Sequence, residues 1–232
     1  MKIALLGYGK MGKTIEKIAT ERGHTIILKV DKEDTTYDLS EADVAIDFSI
    51  PTAAVNNITN CFNAGVPVVS GTTGWLDHYE DMVALCKEKK GGFIYASNYS
   101  LGVNLFFELN RKLAKMMAPL EGYNIAMEEI HHTEKLDAPS GTAITLAEGI
   151  IENTDKTEWQ LDNGGKNIIP IIAKRIDKVP GTHTVNYTSE VDDIEIKHTA
   201  HNRNGFALGA VVAAEWLIDK TGVFNMKDVL GL

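Results

Sequence analysis

The sequence has only two cysteines, Cys61 and Cys86, among its 232 residues. Two thiols cannot form a disulfide framework, and this usage is typical of a reducing compartment, so we expect a cytoplasmic protein with structural thiols. No apolar run approaches the roughly 18 residues that a membrane span needs, so we expect no membrane association. The apolar stretch after Met1 runs directly into a glycine turn, which argues against a secretory signal.

Positive charge is also scarce. The 23 lysines and arginines are outnumbered by 32 aspartates and glutamates, which gives a formal net charge of −9. A surface that follows nucleic-acid phosphates must be basic, so we expect no nucleic-acid partner. Hydrophobic residues nevertheless make up 44% of the chain, which is enough for a packed core and excludes a disordered protein.

The first hundred residues alternate short apolar runs with helical patterns. The apolar runs predict strands at residues 3–6, 25–30, 44–48, 66–70 and 93–96. The helical patterns between them cover residues 10–22, 51–63 and 76–90, and residues 31–43 are too few for a full crossover helix. Apolar strands joined by helices indicate a parallel sheet covered on both faces. We therefore predict an α/β, doubly wound, Rossmann-like dinucleotide-binding domain over residues 1–99, completed by a C-terminal helix within residues 203–232.

The pattern changes from about residue 100 onward. Helical patterns cover residues 101–117 and 141–152, and strand patterns cover residues 124–130, 168–176, 182–189 and 194–199. This order predicts a C-terminal α+β domain over residues 100–202 with an open mixed sheet. No further amphipathic helix remains to cover the exposed face of that sheet, so we expect a partner subunit to cover it.

The segment from Gly7 to Gly12 reads G-x-G-x-x-G and lies between the first predicted strand and helix. Such glycines allow a tight turn and let a pyrophosphate approach the helix N-terminus. Asp31 lies about 20 residues further on, where this motif places the acidic residue that binds the adenosine ribose. Because Lys32 could neutralise a 2′-phosphate, the pair predicts that both NADH and NADPH bind. The alternatives are a turn without ligand and a solvated charge pair.

Two further loops follow the fourth and fifth predicted strands. Open α/β sheets bind their ligands at the carboxyl ends of parallel strands, so small polar residues there can reach a nicotinamide or its ribose. Loops without a ligand remain the alternative. The candidates are Gly71, Thr72, Thr73, Ser97, Asn98, Tyr99 and Ser100.

Two histidines and a lysine precede the predicted helix that starts at Gly141. His131, His132 and Lys135 offer cationic or proton-donating side chains, and Gly141 and Thr142 offer free N–H groups at a helix start. The combination suits an anionic substrate that must receive a proton. The spacing matches no metal-binding pattern, so we expect no metal. A solvated polar loop is the other alternative.

The segment from Glu129 to Ala143 matches in full the pattern E-x-H-H-x-x-K-x-D-A-P-S-G-T-A. Here the sequence closely resembles the 4-hydroxy-tetrahydrodipicolinate reductase (dihydrodipicolinate reductase) family. The resemblance extends over essentially the whole chain. It includes the glycine loop and the segments that begin at Asp47, Gly71, Asn98 and His198, the last running through Arg203, Phe206 and Ala207 to Trp216.

The resemblance implies an oxidoreductase of the diaminopimelate–lysine pathway that reduces a cyclic imine dicarboxylate with NADH or NADPH. It implies His131 as proton donor and acceptor, Lys135 as proton donor, and His132, Gly141 and Thr142 as ligands of the substrate carboxylates. It also implies a homotetramer. The implied cofactor contacts are Gly7, Gly9, Lys10, Met11, Gly12, Asp31, Lys32, Gly71, Thr72, Thr73, Ser97, Asn98, Tyr99 and Ser100.

The sequence departs from the family pattern at Lys10, where arginine is usual, and it is short between Val30 and Val44. Lysine still screens a phosphate but lacks the two-pronged fork of arginine. Two other functions stay open. The first is another Rossmann-type amino-acid dehydrogenase, and the His-His-x-x-Lys spacing argues against it. The second is a nucleotide-sensing regulator that has lost catalysis, although His131 and Lys135 are both present.

Overall fold

The computed structural model describes residues 1–34, 36–202 and 204–232. They form two compact units, the first of Met1–Leu101 with Asn204–Leu232 and the second of the residues between these segments. Arg203, where the predicted tail motif and the second predicted domain boundary fall, lies outside the described residues. No helix of the described residues is long and apolar enough to cross a membrane.

The strands, in chain order, are β1 (Lys2–Leu6), β2 (Thr25–Val30), β3 (Val44–Asp47), β4 (Val68–Ser70), β5 (Gly92–Tyr95), β6 (Asn124–His131), β7 (Glu158–Leu161), β8 (Ile168–Arg175), β9 (Gly181–Thr188), β10 (Asp193–Ala200) and β11 (Gly222–Phe224). The helices are α1 (Lys10–Glu21), α2 (Pro51–Ala64), α3 (Tyr79–Lys89), α4 (Leu101–Met117), α5 (Gly141–Ile151), α6 (Asn204–Leu217) and α7 (Met226–Leu230), with a 3-10 turn at Leu76–His78.

The first unit confirms the predicted Rossmann-like fold. Its sheet has the order β11-β5-β4-β3-β1-β2, and every strand pair is parallel. Residues of α1, α6 and α7 pack on one face, and residues of α2 and α3 pack on the other. Because both faces are covered, the central strands are apolar throughout. The described residues between β2 and β3 form turns without a helix, as expected.

The end of the chain differs from the prediction of one long helix. Helix α6 ends at Leu217, and β11 then adds a sixth strand beside β5. Gly209 lets α6 lie very close to the loop after β5, since a Cβ atom there would lie 1.7 Å from the carbonyl oxygen of Tyr99. The three-residue strand β11 was missed because so short a run carries no periodicity.

The second unit confirms the predicted mixed sheet, with the order β10-β9-β6-β8-β7. Strand β9 pairs antiparallel with β6 and β10, whereas β8 pairs parallel with β6 and β7. Helices α4 and α5 pack on one face of this sheet. Alternate residues point to the opposite face, including the ion pair of Glu128 with Lys174 and the exposed Ile172. The four-residue strand β7 was not predicted.

Candidate active site

The glycine loop between β1 and α1 has no room for side chains at two positions. Gly7 has a φ of 98°, and a Cβ atom there would lie 2.2 Å from the carbonyl oxygen of Phe48. A Cβ atom on Gly12 would lie 2.3 Å from the Gly7 carbonyl oxygen. Gly9 is the N-terminal cap of α1, and no atom of the described residues beyond its chain neighbours lies within 4 Å of where its Cβ atom would be. This geometry fits a pyrophosphate held on the backbone at the start of α1.

A groove of about 250 Å³ opens beside this loop. It brings together four of the predicted cofactor residues, namely Gly7, Gly9, Asp31 and Lys32. It also contains residues that the sequence did not single out as cofactor contacts: Tyr8, Val30, Asp34, Phe48, Ser49, Ile50, Ala53 and Asn57. The other predicted cofactor residues do not line it. The groove fits the adenosine side of a dinucleotide.

The charges at the mouth of this groove are mostly negative. Asp31 accepts a hydrogen bond from the backbone N–H of Lys32 (2.7 Å), and Asp34 accepts one from the backbone N–H of Asp31 (2.8 Å). The ammonium of Lys32 lies 3.4 Å from Glu33. Three carboxylates thus lie within two residues of one lysine, an excess of negative charge that favours a free ribose over a 2′-phosphate.

The fully buried Asp47, at the end of β3, organises the neighbouring loops. One carboxylate oxygen accepts from Ser49 (2.7 Å) and Asn57 (3.0 Å), and the other accepts from Ser70 and Thr72 (2.8 Å each). Burial raises the pKa of Asp47, and these four donors oppose the shift. A carboxylate that accepts four bonds has all its lone pairs satisfied, so Asp47 holds these loops at the carboxyl ends of β3 and β4.

Two predicted cofactor loops are shaped by packing. The side chain of Thr72 is buried and accepts from the Ser49 backbone N–H (2.8 Å), whereas Thr73 is exposed. A Cβ atom on Gly71 would lie 2.3 Å from the ring of Phe48. The side chain of Tyr99 is buried, and its hydroxyl donates to the backbone carbonyls of Ser70 and Ile94. Tyr99 therefore packs in the core of the first unit.

The predicted histidine pair lies at the end of β6, with His131 as the last residue of the strand. The side chain of Glu129 is fully buried and forms a short hydrogen bond with Nδ1 of His131. Burial alone would raise the pKa of Glu129, but the bonds and charges of His131 and Arg175 outweigh it and lower this pKa. An ionised carboxylate only accepts hydrogen bonds, so Nδ1 of His131 is the donor and Nε2 is left for other work.

Helix α5 begins where the predicted substrate residues lie. Ser140 is its N-terminal cap and accepts from the backbone N–H of Ala143 (3.2 Å). The N–H groups of Gly141 and Thr142 belong to the first turn, where no acceptor exists within the helix. Gly141 is exposed, and nothing lies within 4 Å of where its Cβ atom would be. The N-terminus of α5 is therefore accessible to an anion.

Lys135 and His132, the other two predicted site residues of this segment, have different surroundings. The ammonium of Lys135 bonds to both oxygens of Asp137, at 2.7 and 2.8 Å. Hydrogen bonding to Lys135 is the main reason that the pKa of Asp137 is lowered. Among the described residues, Nδ1 of His132 is buried and has no hydrogen-bond partner.

Two residues that the sequence did not reveal join this site. His183 lies opposite Glu129 in the β6–β9 pairing, and its Nε2 is 2.9 Å from the hydroxyl of Ser140. Arg175, at the end of β8, donates to Glu129 (2.9 Å). The atoms of Glu129, His131 and His183 that could ligate a metal lie within 4.8 Å of one another, close enough to hold a metal ion. Glu129 already bonds to His131 and Arg175, so the absence of a metal stays our prediction.

A dinucleotide-binding sheet and a site of paired histidines, lysine and a helix N-terminus are the components of a nicotinamide-dependent oxidoreductase. Residues 1–99 match the N-terminal domain of dihydrodipicolinate reductase, and residues 102–230 match its C-terminal domain. This chain therefore belongs to the dihydrodipicolinate reductase family.

Individual relatives agree with this assignment. The 4-hydroxy-tetrahydrodipicolinate reductase of Christiangramia forsetii is 62% identical over 233 aligned positions, which cover 99% of this chain and 98% of the relative. The enzyme of the same name from Neisseria gonorrhoeae is 34% identical, with coverage of 94% and 84%. A dipicolinate-bound dihydrodipicolinate reductase from Paenisporosarcina shares the fold, with a TM-score of 0.77, 23% identity and coverage of 97% of both chains.

We predict that His183 makes the fold sensitive to mild acid. Burial, together with the nearby His131, lowers the pKa of His183 from 6.5 to about 3. Below pH 6.5 the unfolded chain therefore binds a proton that the folded chain does not. The free energy of unfolding should fall by about 2 kcal/mol between pH 7 and pH 5 from this residue alone. Urea unfolding at both pH values measures it.

The matched variants are His183→Gln and His78→Gln, because His78 is exposed. His183→Gln should lose about 2 kcal/mol less than the parent between pH 7 and pH 5, and His78→Gln should behave as the parent does. An undiminished loss in His183→Gln would show that this imidazole is not held neutral.

Proposed function

We propose that this protein reduces 4-hydroxy-tetrahydrodipicolinate, by way of dihydrodipicolinate, to tetrahydrodipicolinate in diaminopimelate and lysine biosynthesis. The observation that carries the proposal is the segment from Glu129 to Ala143. It places His131, with its Nδ1 held by a buried carboxylate, and Lys135 before the open N-terminus of α5. Membership in the dihydrodipicolinate reductase family supports the same reaction.

The first unit would hold the nicotinamide cofactor, which supplies a hydride when bound. Gly7, Gly9 and Gly12 shape the backbone that would take the pyrophosphate, with Lys10 and Met11 in the first turn of α1. Asp31 and Lys32 would face the adenosine ribose. The loops that Asp47 holds, with Gly71, Thr72, Thr73 and residues 97–100, would orient the nicotinamide end.

The substrate is a dicarboxylate, and the second unit offers it several donors. The N–H groups of Gly141 and Thr142 at the start of α5 would bind one carboxylate. His132 would assist them. These groups remain charged or polar throughout the reaction, so they contribute binding rather than rate.

Two residues would move protons. Nδ1 of His131 is bonded to Glu129, so its Nε2 is the atom that would exchange a proton with the substrate. Lys135 would donate a proton from its ammonium, which Asp137 holds in place. A proton donor acts as charge develops in the transition state, and it therefore affects kcat.

A coupled assay tests the reaction. The purified protein is mixed with a synthase that forms the substrate from pyruvate and aspartate semialdehyde, and nicotinamide absorbance is followed. Lys135→Ala should lower kcat by about 10²–10⁴-fold, whereas Thr142→Val should raise KM with little change in kcat, since it removes one hydroxyl and keeps the backbone N–H.

Other outcomes of this assay have clear meanings. Oxidation of amino acids without imine reduction would indicate another Rossmann-type dehydrogenase. Cofactor binding without turnover would indicate a sensing regulator. A Lys135→Ala variant with parental kcat and a raised KM would make Lys135 a carboxylate ligand.

We further propose that NADH and NADPH both serve, with NADH at least as efficient. Asp31, Lys32 and Asp34 line the groove, and the Lys32 ammonium lies 3.4 Å from Glu33, so a 2′-phosphate meets more negative than positive charge. Asp31→Ala should shift the kcat/KM ratio toward NADPH by about 1–2 kcal/mol, the size of a bond or two to a charged group. A ratio that does not change would show that Asp31 does not contact the ribose.

We also propose a cytoplasmic homotetramer. Both cysteines are free and buried, and burial raises the pKa of each thiol, which suits structural thiols in a reducing compartment. The face of the second sheet that carries Ile172 offers a surface for joining subunits. Light scattering at micromolar concentration should give four times the chain mass, and a monomer mass would contradict the proposal.

A further inference from the structure

Arg175 has no part in the chemistry proposed above, yet its guanidinium reaches several groups of the site. It lies at the end of β8, where the parallel pairing with β6 sets it beside His131. One terminal nitrogen donates to Glu129 (2.9 Å) and to the backbone carbonyl of Asp137 (2.7 Å). The other terminal nitrogen donates to the backbone carbonyl of Lys174 (2.8 Å), and Nε donates to that of Lys135 (3.3 Å).

These bonds connect the end of β6 to the loop that follows it. Glu129 is the buried carboxylate that holds His131. The carbonyls of Lys135 and Asp137 belong to the loop of residues 132–140, which we call the lysine loop. Leu136 in its centre is 97% exposed, so apolar packing does not hold that part of the loop, and hydrogen bonds must do so.

We propose that Arg175 is a positioning residue that fixes the lysine loop against the Glu129–His131 pair. This inference rests on the proposed function, because it gives a reason for holding the loop that carries Lys135 in place relative to His131. Arg175 itself transfers no proton and is not a catalytic residue. It sets where two proton-carrying side chains stand relative to each other.

The geometry explains why the residue is an arginine. A guanidinium is planar and offers donors in fixed directions, so one side chain can serve a carboxylate and several carbonyls at once. A lysine would keep the charge beside Glu129 but could not keep all these directions. Arg175→Lys therefore separates the geometric role from the neutralisation of a buried charge.

The control is Arg22→Lys in the first unit. Arg22 likewise bonds to a glutamate, since its Nε and a terminal nitrogen donate to Glu215 at 2.8 and 2.7 Å. This pair ties the end of α1 to α6 and contacts no proposed catalytic or binding residue. Both substitutions replace a guanidinium that bonds to a glutamate, and only Arg175→Lys disturbs the lysine loop.

Two readouts are taken on each folded variant. Arg175→Lys should lower kcat by about 10²-fold, the cost of misplaced reacting groups, with the KM for the nicotinamide cofactor unchanged. Hydrogen exchange of residues 132–140 should be faster than in the parent. Arg22→Lys should keep the parental kcat and the parental exchange of this loop. Arg175→Ala, assayed with added methylguanidinium or methylammonium, should regain activity only with methylguanidinium.

The outcomes separate this inference from the proposed function. A parent protein that reduces no imine contradicts the function, and loop exchange then decides the role of Arg175. A parental kcat or parental loop exchange in Arg175→Lys overturns the positioning role. If Arg175→Lys does not fold, the rescue of Arg175→Ala decides instead. The positioning role is overturned if methylguanidinium and methylammonium restore activity equally, or if neither restores it.

Discussion

The buried carboxylate of Glu129 is the constraint on which the second unit depends. Moving such a charge out of water costs several kcal/mol unless donors compensate. His131 and Arg175 supply those donors, and each is thereby held in one orientation. His131 must turn Nδ1 toward the carboxylate, and Arg175 must reach across from β8, where the same terminal nitrogen and Nε also bond to carbonyls of the lysine loop. One desolvated charge thus sets the places of the groups that would transfer protons.

The first unit follows the same physical rule with different chemistry. Asp47 is also fully buried, but its four partners are neutral hydroxyl and amide donors. These donors come from the ends of β3 and β4, the loops after them and α2, so their bonds fix the carboxyl edge of the sheet. In both units a buried carboxylate orders the polar segments that bond to it or to its partner. The segments so ordered are those proposed to meet cofactor and substrate.

The sequence was sufficient wherever the information was local. Apolar runs separated by helical patterns predicted the parallel sheet, the spacing of Gly7, Gly9 and Gly12 predicted the strand–turn–helix, and the helical pattern from Gly141 predicted α5. Arg175 and His183 could not be found in this way. Each comes close to Glu129 only because its strand, β8 or β9, pairs with β6 in the folded sheet. Tyr99 shows a different limit of the sequence. Its neighbours in the chain are polar loop residues, which suggested a cofactor contact, but its ring packs in the core. Aligning β9 against β6 would have been enough to place His183 beside Glu129.

The central claim is that Glu129 is ionised and fixes the tautomer of His131. Nitrogen NMR of the protein labelled with ¹⁵N-histidine tests it directly, because the shifts of the two ring nitrogens show which one carries the proton in the neutral ring. The account predicts a protonated Nδ1 and an unprotonated Nε2 for His131 in the parent, and loss of that preference in Glu129→Gln. A neutral His131 with its proton on Nε2, or a tautomer that Glu129→Gln leaves unchanged, would contradict it.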